Sequence, residues 1–141
     1  DDPDDRKPMV WPEMTFEVER THPLPGRTRP ADSVAFDQSL FDFYQKLIRI
    51  RHENTALVSG DFRHIPAAVT EETYGFARKT DDQEVLAFFN RGTKPQEITI
   101  PSEQLNYQKY RDVFSENKLA ADDSGLKITL PGKGFVILSS D

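Results

Sequence analysis

The densest group of chemistry-bearing side chains lies at the start of the chain, in Asp2-Pro3-Asp4-Asp5-Arg6-Lys7-Pro8-Met9-Val10-Trp11. Carboxylates, a guanidinium and an indole share a segment stiffened by prolines. Asp accepts hydrogen bonds from vicinal hydroxyls, the Arg fork donates them at fixed separation, and an indole face covers the apolar C–H face of a pyranose. The set therefore suits a sugar. On composition alone, a solvated acidic loop with a docked Trp remains the plainer reading.

Other candidates carry less. His22, His52 and His64 show no HExxH spacing, because His52-Glu53 runs on into Asn54, Thr55 and Ala56. A helical zinc pair is therefore missing, and three separate surface or packing histidines are expected. Asp1, Asp2, Asp4 and Asp5 could attract calcium but lack the Asp-x-Asp-x-Asp-Gly loop that wraps oxygens around the ion. Glu71-Glu72, Asp81-Asp82 and Asp122-Asp123 fall between predicted strands, where solvated turns place charges. The sequence holds no Gly-rich phosphate loop, no GxSxG elbow and no cysteine. No catalytic residue, cofactor site or metal site is expected.

The elements that must hold these residues are bounded by size. With 141 residues, 36% hydrophobic and 30% charged, the chain can fold as one ordinary domain but is too short for most complete barrel enzymes. A net charge of −6 opposes binding to phosphate backbones, so a nucleic-acid partner is not expected. No apolar run approaches the roughly 18 residues of a membrane span, so no membrane partner is expected either. The acidic DDPDDRKP start is unlike a signal peptide and reads as mid-protein.

Six of the ten prolines (Pro3, Pro8, Pro12, Pro23, Pro25 and Pro30) fall in the first thirty residues and impose a long loop. From Asp37 to Glu53, Leu40, Phe41, Tyr44, Leu47, Ile48 and Arg51 recur at steps of three and four, predicting one amphipathic helix. Asp37 or Ser33 can cap it, and Arg49, Arg51 and His52 suit its C-terminal end. Phe43 and Ile50 widen the apolar stripe. From about Gly60, short runs such as TYGFARKT, EVLAFFNR, QEITI, GLKITLP and GFVILSS alternate with turn residues. Six to eight short antiparallel strands pack most economically as a mainly-β Greek-key sandwich. Alternation predicts a core of Phe76, Leu86, Phe88, Ile98, Ile100, Val113, Ile128, Leu130, Phe135 and Ile137.

The segments DPDDRKPMVWPE, RPADSVAFDQSLFDFYQKLIRIRHENTALVSGDFR and VLAFFNRG resemble the C-terminal part of α-amylase-family glycoside hydrolases, in the neopullulanase and cyclomaltodextrinase branch. The resemblance implies that residues 1–58 are the last loop and helix of a truncated (β/α)8 barrel and that 59–141 are the β-sandwich called domain C. In that family the loop reads Asp-Pro-x-x-Arg, and its Asp and Arg bind a glucose unit on the non-reducing side of the cleavage point. By position these are Asp2 and Arg6, with Lys7 where a second Arg is common. The family's three catalytic carboxylates belong to earlier barrel strands, and their motifs are missing from this sequence.

The resemblance thus implies an inactive part of a retaining enzyme that cleaves an α-glucan or maltooligosaccharide. The competing reading is a stand-alone carbohydrate-binding or protein-interaction module using Tyr74, Tyr107 or Tyr110, which a coplanar pair of exposed rings would favour. The helix face needs cover that the missing barrel would supply. Part of it is expected on the sandwich, and the rest on a second copy through residues 1–50.

Overall fold

A computed structural model describes residues 9–22 and 24–140. The chain divides into two compact units, residues up to Gln45 and residues from Lys46 onward. The division falls inside helix α1 (Gln38–Glu53).

In the first unit the described part of the proline-rich segment, residues 9–22 and 24–30, forms no helix or extended strand, as its missing donors dictate. Glu19 and Asp32 exchange backbone hydrogen bonds of 2.9 and 3.0 Å. The Arg29–Asp32 ion pair at 2.9 Å adds a second tie. Helix α1 begins where Asp37 Oδ1 accepts the Leu40 N–H at 3.0 Å and the Ser39 hydroxyl at 2.6 Å. These bonds favour the ionised form and hold the Asp37 carboxyl below its usual range. Asp37 is thus the N-cap, and Arg51 and His52 occupy the last turn as expected.

The second unit is all antiparallel. Its strands are β1 (Asp61–His64), β2 (Thr73–Lys79), β3 (Glu84–Asn90), β4 (Gln96–Ile100), β5 (Lys109–Asp112), β6 (Lys118–Ala120), β7 (Leu126–Leu130) and β8 (Gly134–Ser140). One sheet has the order β1-β2-β3-β8-β5-β6, and β4 pairs with β7 in a second. The last strand therefore inserts between β3 and β5, and the chain crosses between sheets before β4, β5, β7 and β8. A short helix α2 (Thr55–Ser59) and one-turn 3-10 helices at Pro66–Ala68 and Ser102–Gln104 complete the described elements. No helix among the described residues is long and apolar enough to cross a membrane.

Both sheets contribute to one core. Ala77, Leu86, Phe88, Leu138 and Tyr110 from the large sheet meet Ile98, Ile100, Leu126, Ile128 and Leu130 from the small one. Gly75 belongs here because a Cβ would lie 2.6 Å from the Phe88 ring and 2.7 Å from the Ala68 Cβ, so the ring fills the space of a side chain.

The expected mainly-β sandwich is present, with a register correction. Phe76, Phe135 and Ile137 were expected inside, but Phe76 pairs with Ala87, which pairs with Ile137, while Phe135 pairs with Phe89. These residues line the opposite face of the large sheet. The inward positions of β8 are Val136 and Leu138, which pack with the core. In GFVILSS both alternating sets are apolar, so alternation alone does not fix the face. Val113 is buried but lies outside the central cluster.

The outer face of this sheet is partly covered. Helix α2 packs on β2 and β3, with Ala56 fully buried. Gln83 clamps the corner: its Oε1 accepts the Ala56 N–H at 2.9 Å, while its Nε2 donates to Asn54 Oδ1 at 3.0 Å and to Ser139 Oγ at 3.1 Å. Asn54 in turn donates to the Ile50 carbonyl at 2.8 Å. Ile50 is thus the buried residue of α1, whereas Leu40, Tyr44 and Ile48 form an exposed stripe.

Candidate functional site

Asp2 and Arg6, the expected sugar-binding pair, lie outside the described residues, as does the Asp1, Asp2, Asp4, Asp5 cluster. The segment that follows them is described. Met9, Val10, Ala35, Phe36, Leu40 and Tyr44 contribute to an apolar groove of about 280 Å3 at the start of α1. Trp11 meets Phe41 edge-on, with ring centroids 6.3 Å apart and planes at 70°. Phe36 contacts the same ring at 5.4 Å. Trp11 nevertheless keeps 41% of its surface in solvent. Aromatic packing on the helix start therefore positions the chain directly after the Asp2–Arg6 segment.

The second unit presents an aromatic surface on the outer sheet face. Phe62 meets Phe76 at 5.4 Å, Phe76 runs nearly parallel to Phe89 at 6.1 Å, and Phe89 meets Phe135 at 6.5 Å. Phe135 is edge-on to Phe114, whose ring carries the Lys46 ammonium 4.4 Å from its centroid. Phe62, Tyr74 and Phe89 are exposed. Phenyl rings offer no hydrogen bonds to hydroxyls, so this surface suits an apolar protein face better than a sugar. The clue in the sequence is the unbroken apolar run Val85-Leu86-Ala87-Phe88-Phe89, which marks a strand with two apolar faces.

The three tyrosines considered for stacking do not form a platform. Tyr74 is exposed, but its ring is edge-on to His64 at 76°, and its hydroxyl lies 3.1 Å from His64 Nδ1. Tyr107 is half-buried against the core, and Tyr110 is fully buried. His22 accepts the Leu24 N–H at Nδ1, a local turn bond. Among the described residues no group of three or more His, Asp or Glu side chains could hold a metal ion.

A buried polar network lies at the inner edge of the large sheet. The Glu84 carboxylate is fully buried and accepts hydrogen bonds from Tyr110 Oη at 2.7 Å, Asn106 N at 3.2 Å and Asn106 Nδ2 at 2.5 Å. The partly exposed Arg63 pairs with it at 3.2 Å. Burial first, and then this carboxylate, push the Tyr110 phenol far above its ordinary value. The unfolded chain releases the tyrosine proton near pH 10, whereas the folded state retains it. Above that pH the unfolded state binds fewer protons, so stability that is fully present below about pH 10 falls as pH rises. Thermal unfolding between about pH 9 and 11 is expected to show this decline, blunted in Tyr110→Phe.

The comparisons with known proteins agree with this architecture. The maltogenic amylase C-terminal domain model matches residues 62–137. Neopullulanase 2 of Thermoactinomyces vulgaris is 26% identical over 137 residues, 96% of this chain and 20% of that protein. Glucan 1,6-alpha-glucosidase of Streptococcus pneumoniae is 28% identical over 106 residues, 75% of this chain and 18% of that protein. The chain thus spans about a fifth of these relatives. The crystal structure of an α-amylase from Geobacillus thermoleovorans, complexed with acarbose, superposes with a TM-score of 0.68 at 19% identity, covering 77% of this chain and 24% of that one. That likeness shows the fold. The family model covers more than half of the sequence, and its strands form the sandwich described above, so the chain belongs to the maltogenic amylase C-terminal domain family.

Proposed function

We propose that this chain supports the catalytic barrel of an α-glucan-cleaving enzyme and contributes Asp2 and Arg6 to its substrate cleft, while the catalytic carboxylates lie elsewhere in the longer protein. In this reading residues 1–58 are the last loop and helix of the barrel, and 59–141 are the accessory sandwich. The observation that carries it is the exposed aromatic sheet face, with Phe62 at 52% and Phe89 at 40% exposure. Its occupant is the barrel. The exposed Leu40, Tyr44 and Ile48 stripe of α1 supports the same reading, since a barrel helix needs neighbours on that side.

The test is a Phe62→Asp, Phe89→Asp variant in the complete enzyme and in the 141-residue chain. Because both rings are solvent-exposed here, the isolated chain should unfold at nearly the wild-type temperature. The complete enzyme should lose about 5 °C or more in calorimetry as charges enter its domain interface. An unchanged complete enzyme overturns the docking role.

The isolated chain is expected to hydrolyse neither cyclodextrin nor soluble starch above background, since this reading places nucleophile and proton donor elsewhere. Reproducible turnover that copurifies with it would refute that placement. In the complete enzyme, Asp2→Ala or Arg6→Ala should lower kcat/KM on maltooligosaccharides by about tenfold or more, the scale of a buried charged hydrogen bond. Unchanged kcat/KM on long and short substrates removes both residues from the cleft. Without the barrel, the α1 stripe is expected to pair with a second copy. Sedimentation at micromolar concentration should then show a dimer that Ile48→Glu dissociates.

A further inference from the structure

The aromatic sheet face contains a cation that no group among the described residues balances. Register puts Arg78 on the same side as Phe62 and Val85, its cross-strand partners, and two positions along β2 from Phe76. The positions of β1, β2, β3 and β8 that face this side include no Asp or Glu. Helix α2, which packs on β2 and β3, contains none either.

The other arginines carried by strands are engaged. Arg63 pairs with Glu84 and donates to the Gln104 carbonyl at 2.8 Å, and Arg111 pairs with Glu116. Lys79, next to Arg78 in sequence, turns to the opposite side and donates to Asn106 Oδ1 at 3.1 Å. Arg78 makes no hydrogen bond or ion pair among the described residues. Its Nε is shut off from solvent without an acceptor, while its two terminal nitrogens reach the surface. A half-buried guanidinium thus stands beside phenyl rings with its charge unanswered.

Any surface that covers these rings also covers the terminal nitrogens. If that surface were apolar throughout, it would strip water from an unpaired charge, which opposes docking. A backbone carbonyl would accept an N–H and leave the charge in place, whereas a carboxylate matches the planar fork at two N–H groups and neutralises it. We propose that the barrel presents a carboxylate to Arg78, and that this ion pair is the polar anchor of the docked face. The proposal rests on the barrel being the occupant, as under Proposed function. Phenyl contacts tolerate sliding, but a bidentate pair has one geometry, so Arg78 fixes the register of the two surfaces.

The experiment is zero-length cross-linking of the complete enzyme carrying Arg78→Lys, using a water-soluble carbodiimide that joins an amine to a carboxylate only when the two are in contact. Peptide mass spectrometry is expected to find the introduced amine linked to an Asp or Glu of the barrel. Arg78→Met, which keeps the apolar stem, should lower the calorimetric midpoint of the complete enzyme by about 3 °C or more and leave that of the 141-residue chain unchanged. Links confined to carboxylates within residues 1–141, no link at all, an unchanged complete enzyme, or equal losses in chain and enzyme each overturn the proposal. The Phe62 and Phe89 variant separates the two readings. A complete enzyme that this variant destabilises but that yields no link keeps its docked face and loses only the Arg78 contact; one that the variant leaves unchanged loses the face itself.

Discussion

Phe88→Ala is expected to destabilise the sandwich by about 3–5 kcal/mol, while Phe89→Ala, one residue further on, should change stability by less than about 1 kcal/mol. The two rings are chemically identical and lie on opposite faces of β3. Phe88 is completely buried and fills the space over Gly75 and Ala68, so truncation removes its transfer free energy and leaves a cavity that a rigid sheet collapses into poorly. Phe89 is 40% exposed and lies on the sheet surface between the Phe76 and Phe135 rings. Urea unfolding of the two variants measures both values. Comparable losses at both positions would mean that the outer face is packed as tightly as the core, and the docking surface would be lost with it.

The second large effect concerns Glu84. Removing the carboxylate as Glu84→Ala is expected to cost about 3–5 kcal/mol, the range for breaking a buried charged network. The reason lies in the partners left behind. Tyr110 Oη would lose its acceptor in the buried core, the Asn106 amides would lose theirs, and Arg63 would lose its ion pair. Glu84 joins β1, β3, β5 and the segment before β5, so its loss should also loosen the chain at Asn106. Glu84→Gln retains an acceptor oxygen and should cost less than the alanine variant. Equal stability of wild type and Glu84→Ala in denaturant would show that water reaches these groups after all.

The elements of this fold were legible because local rules and the tertiary structure agree. The three-and-four spacing marked α1, Asp37 was one of two cap candidates, and Pro12, Pro25 and Pro30 marked described segments without helix or strand. Leu86 with Phe88, Ile98 with Ile100, and Ile128 with Leu130 marked inward faces, and each pair is buried.

What the sequence by itself determined is therefore the class of the protein, the helix, and most of the core pairs, since each rests on spacing within a few residues. Only the tertiary structure decided which face of β2 and β8 turns inward. GFVILSS is apolar on both faces, so its facing depends on pairing with β3 across the sheet, a contact between residues about fifty positions apart. The same long-range pairing leaves Phe62, Phe76, Phe89 and Phe135 on one surface, and it closes the Glu84 network from four separate segments. The run Val85–Phe89 shows that β3 has two apolar faces, but the rings of the aromatic surface become neighbours only through backbone hydrogen bonding between strands.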